Sequence, residues 1–264
     1  MTDVVLSRLE GELMVLTMNR PASRNALNRA LCLSLAEQLA SAALNPAVRA
    51  LVLTGAGGTF SVGGDVKAMH EGAGESAPER ERIAALRAAM EAARCLFEMP
   101  KPTIAAIDGP AAGAGLSLAL ACDFRICGRN AKLTTAFAKV GLSGDYGGSY
   151  FLPRIVGPAK ARELYLLSPV LGGEEAKAIG LVTEVAEPGR VLEAAIAFAA
   201  PLAAGPTVTL GKIKDNLALA MGGGSLAQCF DREAQNHIQC AATADHREAA
   251  AAFVEKRQPV FAGR

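Results

Sequence analysis

From Thr103 to Gly128 the chain reads TIAAIDGPAAGAGLSLALACDFRICG, with Pro100 and Pro102 just before it. The two prolines end any helix that precedes them, and Thr103–Asp108 then forms a short, mostly apolar run of strand length. Ala114–Ala121, built of small and apolar residues, reads as a closely packed helix, and Phe124–Gly128 as a second buried strand. The link between strand and helix, Gly109–Gly115, is rich in glycine, which lets a bare backbone N–H approach a ligand. Strand, glycine-rich link, helix and strand make an α/β unit, and the sequence around it repeats the theme.

Upstream, residues 3–9 and 12–18 alternate apolar and polar around Glu10-Gly11, the pattern of two strands joined by a tight turn. After Asn19-Arg20-Pro21, the run Asn28–Ala43 has apolar residues at 31, 35, 39 and 42 and reads as a helix. Ala50–Thr54 reads as a buried strand, followed by a second glycine-rich segment, Gly55–Asp65. Gly72–Pro78 reads as a loop, and a charged amphipathic helix is expected from about Glu79 to Glu98. Helices dominate from Lys160, and beyond Val191 alanine-rich helices are expected at 191–203, 206–220, 225–242 and 245–256, with no further strand. The composition divides the chain into an α/β core over 1–190 and a helical region over 191–264.

The 264 residues carry 27 basic and 26 acidic side chains, and no basic stripe with interleaved aromatics offers a surface to nucleic acid. The six cysteines form no C-x-x-C pair and read as free thiols of a reducing, cytoplasmic compartment. No uncharged apolar stretch reaches the roughly 20 residues that span a bilayer, so a membrane is not an expected partner.

Several familiar chemistries fail on the residues. No G-x-G-x-x-G follows a predicted strand, and Gly205…Gly211-Lys212 has the wrong spacing, and Ile213 where a P-loop needs Ser or Thr. His70, His237 and His246 lack metal-ligand spacing. Gly113–Ala119 comes close to G-x-S-x-G around Ser117 but fails at the last position, and no histidine is assignable as its base. Ser117 is then either a nucleophile or a small residue in a packed helix. The segment Leu142–Pro153, LSGDYGGSYFLP, stands out because it places one carboxylate, Asp145, among uncharged residues. Asp145 reads as a proton carrier or as a turn-forming aspartate before Tyr-Gly-Gly.

Taken in order, Asn19-Arg20-Pro21 with Asn25-Ala26-Leu27-Asn28, Gly58-Thr59-Phe60-Ser61-Val62-Gly63-Gly64-Asp65-Val66-Lys67, Lys101-Pro102 with Ile107-Asp108-Gly109, Gly113-Ala114-Gly115 with Asp123, and Gly141…Gly147-Gly148…Leu152-Pro153 resemble the enoyl-CoA hydratase/isomerase (crotonase) superfamily over the whole chain. The resemblance implies an α/β fold, a crotonase-like spiral of ββα repeats, with a C-terminal helical trimerisation region and a homotrimer or homohexamer. It implies an acyl-CoA thioester as substrate, with coenzyme A as part of that substrate and no separate cofactor or metal. By position it gives the thioester oxygen two donors, the backbone amides of Gly64 and Ala114. It sets Arg24, Ala26, Ser61, Gly63, Asp65, Val66 and Lys67 along the coenzyme A, with Asp65 as the cap of a following helix, and makes Lys256 or Arg257 candidates to reach coenzyme A on a neighbouring subunit. Arg24, Lys67 and Lys256 are equally readable as solvated surface charges.

Hydratases of the family activate water with two glutamates, and the corresponding positions here are Ser117 and Phe137. Neither exchanges a proton near neutral pH, and an apolar ring disfavours a positioned water. Asp145 falls where double-bond isomerases and the ring-epoxide isomerase of the family carry an acid. The resemblance therefore favours isomerisation with Asp145 as proton shuttle and Tyr146 and Tyr150 near the acyl group. The alternatives are an enoyl-CoA hydratase, thioester hydrolysis through Ser117, and a non-catalytic acyl-CoA-binding protein.

Overall fold

The alternation around Glu10-Gly11 becomes an antiparallel hairpin of β1 (Val5–Glu10) and β2 (Leu13–Met18), in register from Val5↔Met18 to Glu10↔Leu13. The computed structural model describes residues 3–65 and 77–264, so the expectations for Val66, Lys67, His70 and most of the loop at 72–78 lie outside the described residues. Further strands are β3 (Ala50–Gly55), β4 (Thr103–Ile107), β5 (Pro110–Ala112), β6 (Phe124–Gly128), β7 (Lys132–Thr134) and β8 (Glu184–Ala186). The main sheet runs β1-β2-β3-β4-β6-β8, parallel from β2 onward, and β5 pairs with β7 in a second layer.

Helices α1 (Arg29–Leu44), α2 (Glu79–Ala89), α3 (Glu91–Glu98) and α4 (Ala114–Leu120) precede α5 (Gly148–Val156), α6 (Pro158–Leu167) and α7 (Gly173–Ala178). The single helix expected over 79–98 is thus two, separated at Met90, and only the second buries residues, Ala92, Ala93 and Leu96. The C-terminal region holds α8 (Val191–Ala203), α9 (Thr207–Met221), α10 (Leu226–Ala241) and α11 (Ala244–Glu255), close to the expected bounds. Among the described residues no single helix is long and apolar enough to cross a membrane.

Both faces of the main sheet are covered, which is why its strands read as continuous apolar runs. On one face, α1 buries Leu31, Leu35, Leu39 and Ala42 in the larger core with Leu51, Leu53 and Leu96. The helix is closed at both ends. Asn28 accepts from the Leu31 N–H at 2.9 Å, and the Lys101 ammonium donates to the carbonyls of Ala42 and Asn45 at 2.6 and 2.7 Å. On the other face, Val191, Ala195, Ala199 and Ala203 of α8 meet Val15, Val52, Ile104 and Ile126. The alanines at every fourth position let this helix lie close on the strands, so α8 is a layer of the core even though the composition changes at Val191.

The second layer is wider than two strands. Isolated bridges join Leu27 to Gly64, Ser61 to Ala111 and Leu133 to Leu171 on either side of β5 and β7. Each turn of the chain lays a strand in the main sheet, then a short one in the second layer, then a helix, as β4, β5 and α4 do.

Arg49, 4% exposed, ties the C-terminal segment to this core. Its guanidinium donates to Glu12 in the hairpin turn at 2.9 Å, to Thr207 Oγ1 at 3.0 Å, and to the carbonyls of Gly205 and Phe261 at 2.5 and 3.0 Å. Arg49→Ala removes the buried donor from these part-buried carbonyls and from Thr207 and Glu12, so urea unfolding should show a loss of about 2–4 kcal/mol.

Candidate active site

Two backbone runs are brought side by side by the second layer. Ser61 N–H donates to Pro110 O at 3.2 Å and Ala112 N–H to Ser61 O at 3.0 Å, which aligns residues 61–64 with 110–114. On the opposite edge Leu27 N–H donates to Gly63 O at 2.7 Å within the parallel Leu27–Gly64 bridge. In such a bridge Leu27 bonds the residues flanking Gly64, so the N–H of Gly64 itself turns away from Leu27, toward the 110–114 run. Gly63 has φ 86°, and a Cβ there would sit 2.6 Å from Ala112 O and 3.2 Å from Ala114 N. No other residue fits this approach. Ala114 opens α4, so its N–H has no partner one turn back. The Gly64 and Ala114 N–H groups thus lie at the same end of the two paired runs, at the junction between them, and two such donors are able to hold an oxygen on which negative charge develops.

Phe137 connects this junction to the lone acid. The buried ring lies 3.7 Å from a Cβ built at Gly113 and 3.8 Å from one built at Gly144, the residue before Asp145. It stacks on Tyr165, with centroids 6.1 Å apart and planes within 6°. Asp145 has one carboxylate oxygen, Oδ1, that is buried without a hydrogen-bond partner among the described residues. Burial pushes this carboxyl up to about 6. Asp145 is therefore poised to exchange a proton near neutrality beside an apolar wall.

The other expected residues take varied positions. Arg24 and Ala26, with Asn19, Arg20, Gly64 and Asp65, line an open groove of about 850 Å³ beginning at the junction. Asp65 faces Arg20 at 3.5 Å; the helix it is expected to cap lies outside the described residues. Ser61 is fully buried behind the loop, donating to Asn25 O at 2.8 Å and accepting from the Gly63 N–H at 3.2 Å, so its hydroxyl shapes the turn and does not face the groove. Ser117 is buried in α4, its Oγ 3.3 Å from Gly113 O. Tyr146 is also buried, and its hydroxyl meets Cys32 Sγ at 3.0 Å. Tyr150 turns outward, with the Arg154 guanidinium 3.5 Å above its ring. Lys256 ends α11 and does not line the groove, while Arg257 pairs with Glu248 and Glu255. Among the described residues no group of three His, Cys, Asp or Glu could hold a metal, and His237 and His246 are exposed.

Sequence reasoning missed Tyr165, whose hydroxyl faces Ser117 across Gly148; a Cβ at Gly148 would lie 2.3 Å from the first and 2.4 Å from the second. Its only signal is that it is one of three tyrosines in the chain. Asn25, the first residue of the Asn25-Ala26-Leu27-Asn28 motif, has no role legible in the sequence. It is fully buried, accepts from Arg20 N–H at 2.9 Å and donates to Ala56 O and Thr59 O at 2.9 and 2.6 Å, fastening the first glycine-rich loop.

This geometry has close counterparts. The family model described as enoyl-CoA hydratase/isomerase matches residues 8–264. The chain is 37% identical to a 1,2-epoxyphenylacetyl-CoA isomerase of Escherichia coli K12, with all of both chains covered. It is 34% identical to a crotonyl-CoA hydratase of Syntrophomonas wolfei, over 98% of this chain and 97% of that one. An enoyl-CoA hydratase of Polaromonas sp. JS666 superposes with a TM-score of 0.92 at 33% identity, covering 97% and 99%. With its crotonase fold and a match over nearly its whole length, the chain belongs to the enoyl-CoA hydratase/isomerase family of acyl-CoA enzymes.

Proposed function

We propose that this enzyme isomerises an acyl-CoA thioester, with Asp145 as the single proton shuttle and the Gly64 and Ala114 amides as donors to the thioester oxygen. The observation that carries the reading is the buried Oδ1 of Asp145, without a partner among the described residues and joined to the junction through the Phe137 ring; by the family resemblance both hydratase glutamates are replaced, by Ser117 and Phe137. With a 3-enoyl-CoA, ionised Asp145 takes a proton from C2, and the C–H electrons form a dienolate whose charge rests on the thioester oxygen. Protonated Asp145 then returns the proton to C4, moving the double bond from C3–C4 to C2–C3. One amide donor to such an oxygen is typically worth about 2.7–4 kcal/mol of barrier. The coenzyme A leaves the junction along the groove past Arg20, Arg24 and Ala26, and no metal or separate cofactor takes part. Hydratase names among the relatives support a second reading, water addition to a 2-enoyl-CoA.

Asp145→Asn should lower conversion of a 3-enoyl-CoA to its conjugated product by about 10²–10⁴-fold while coenzyme A ester binding persists. Rapid hydration of a 2-enoyl-CoA by the wild type, with no isomerisation, selects the second reading instead. Because the ionised carboxylate is the base, isomerisation should rise with pH through about 6 and level off above it.

Burial of Asp145 also has a stability cost with a definite sign. Its folded pKa lies above the unfolded one, so the folded state holds the proton more tightly and stability falls as pH rises from about 3.8 to about 6. Asp145→Asn should therefore melt at a higher temperature than wild type at pH 7.5. The gain should be about 1–3 kcal/mol for a shift of about two units on a part-buried group, vanishing near pH 4.

The C-terminal helices leave Leu226, Phe230, Ile238 and Phe253 exposed, which supports assembly as a homotrimer or homohexamer through this region. Light scattering should give a mass of three or six chains; a monomer at micromolar concentration overturns this assignment.

A further inference from the structure

Ser117 stands, by the family resemblance, at the position of a hydratase glutamate, is 2% exposed, and takes no part in the proposed proton shuttle. Its surroundings assign it another task. The Oγ lies 3.3 Å from Gly113 O, and that oxygen also accepts the Ser117 N–H at 3.0 Å. A serine inside a helix often bonds back to the carbonyl four residues earlier. Here that carbonyl belongs to the peptide that joins Gly113 to Ala114, the one whose N–H stands at the junction. The Gly113 N–H, in the preceding peptide, is held by Thr134 O at 3.0 Å, so Gly113 is fixed at both its N–H and its carbonyl. Tyr165 supplies a third constraint. Its hydroxyl faces Ser117 Oγ, and its ring is pinned against Phe137. The serine proton points at Gly113 O, which leaves the lone pairs of Ser117 Oγ open to the facing tyrosine hydroxyl. Burial raises the Tyr165 hydroxyl to about 12, opposed by Ser117 and reinforced by the charge of Asp145, so it stays protonated as a donor.

We propose that Ser117 is a positioning residue: the chain Tyr165 hydroxyl, Ser117 hydroxyl, Gly113 carbonyl polarises the Gly113–Ala114 peptide and strengthens its N–H as a donor to the thioester oxygen. The proposal rests on the reading of Gly64 and Ala114 as the oxygen's donors. A hydrogen bond accepted by a peptide carbonyl makes the N–H of the same peptide a better donor, by some 10–30% per bond. Applied to a donor that contributes 10²–10³-fold, this gives an effect of about 2–8-fold. Such strengthening acts on the charge that develops during reaction, so it changes kcat and leaves KM nearly untouched.

The test uses 2,4-hexadienoyl-CoA, whose absorption moves to longer wavelength when its thioester carbonyl is polarised, bound to the full chain in an Asp145→Asn background so that it is not turned over. Ser117→Ala should reduce the shift and, with Asp145 intact, lower kcat for 3-enoyl-CoA by about 2–8-fold at constant KM. Tyr165→Phe, which keeps the ring on Phe137, should act in the same direction, and the double variant should be no worse than Ser117→Ala, since both act through one chain. A full wild-type shift in Ser117→Ala overturns the proposal while leaving the junction intact. No shift in the Asp145→Asn parent overturns the donor assignment of Gly64 and Ala114, and the proposal with it. Additive losses in the double variant overturn the chain from Tyr165.

Discussion

The pairing of residues 61–64 with 110–114 is the contact on which the rest of the site depends. It is made almost entirely of backbone, and it exists only because side chains are missing where the two runs meet. A Cβ at Gly115 would lie 2.4 Å from Ser61 O and 2.7 Å from Ser61 Cβ, so the helix that begins at Ala114 can start against the first loop only with glycine there. Main-chain amides cannot be moved by rotamer changes, and a site built from them inherits the rigidity of the sheet behind it. Asn25, Ser61 and Thr134 O hold that backbone from behind, which leaves the front free for a ligand.

Long periodic elements were legible in the sequence. The hairpin and α1 follow from patterns long enough to show a period, β3, β4 and β6 from short apolar runs bounded by glycine or proline, and α4 and the four C-terminal helices from runs of small and apolar residues. Strands β5, β7 and β8 were not, because three residues cannot display alternation and their pairing comes from tertiary placement. The break at Met90 was also invisible, since neither proline nor glycine marks it. Asp145 stood out as a lone acid, but its burial, the quantity that makes it a base, depends on packing that the sequence does not display: the rings of Phe137 and Tyr165, eight and twenty positions away, close on Gly144 beside it.

Motifs that pointed to the family divide into two kinds once seen in space. Gly63, Gly64 and Ala114 form the junction itself. Lys101 and Asp123 do not approach it: Lys101 closes the end of α1, and Asp123 accepts from Thr103 N–H at 2.8 Å and from the Lys214 ammonium at 2.6 Å. The latter contact joins α9 to the end of the sheet. A recognisable pattern therefore reports the scaffold as much as the chemistry, and the partners that separate these roles lie 59 and 91 positions away along the chain.

Arg49 has a consequence for the order in which the molecule is completed. Its guanidinium reaches Phe261 O across 212 positions of sequence, and Glu12 in the first turn shares the same group. During synthesis the hairpin, α1 and β3 emerge long before their final partner exists. Until then the Arg49 guanidinium has only water and Glu12 as partners, and the contact with Phe261 O cannot close before residue 261 has been made. A contact of such sequence separation gains nothing until the chain between its ends has been ordered, so the segment that completes the Arg49 cluster gives stability only to a molecule whose core already stands.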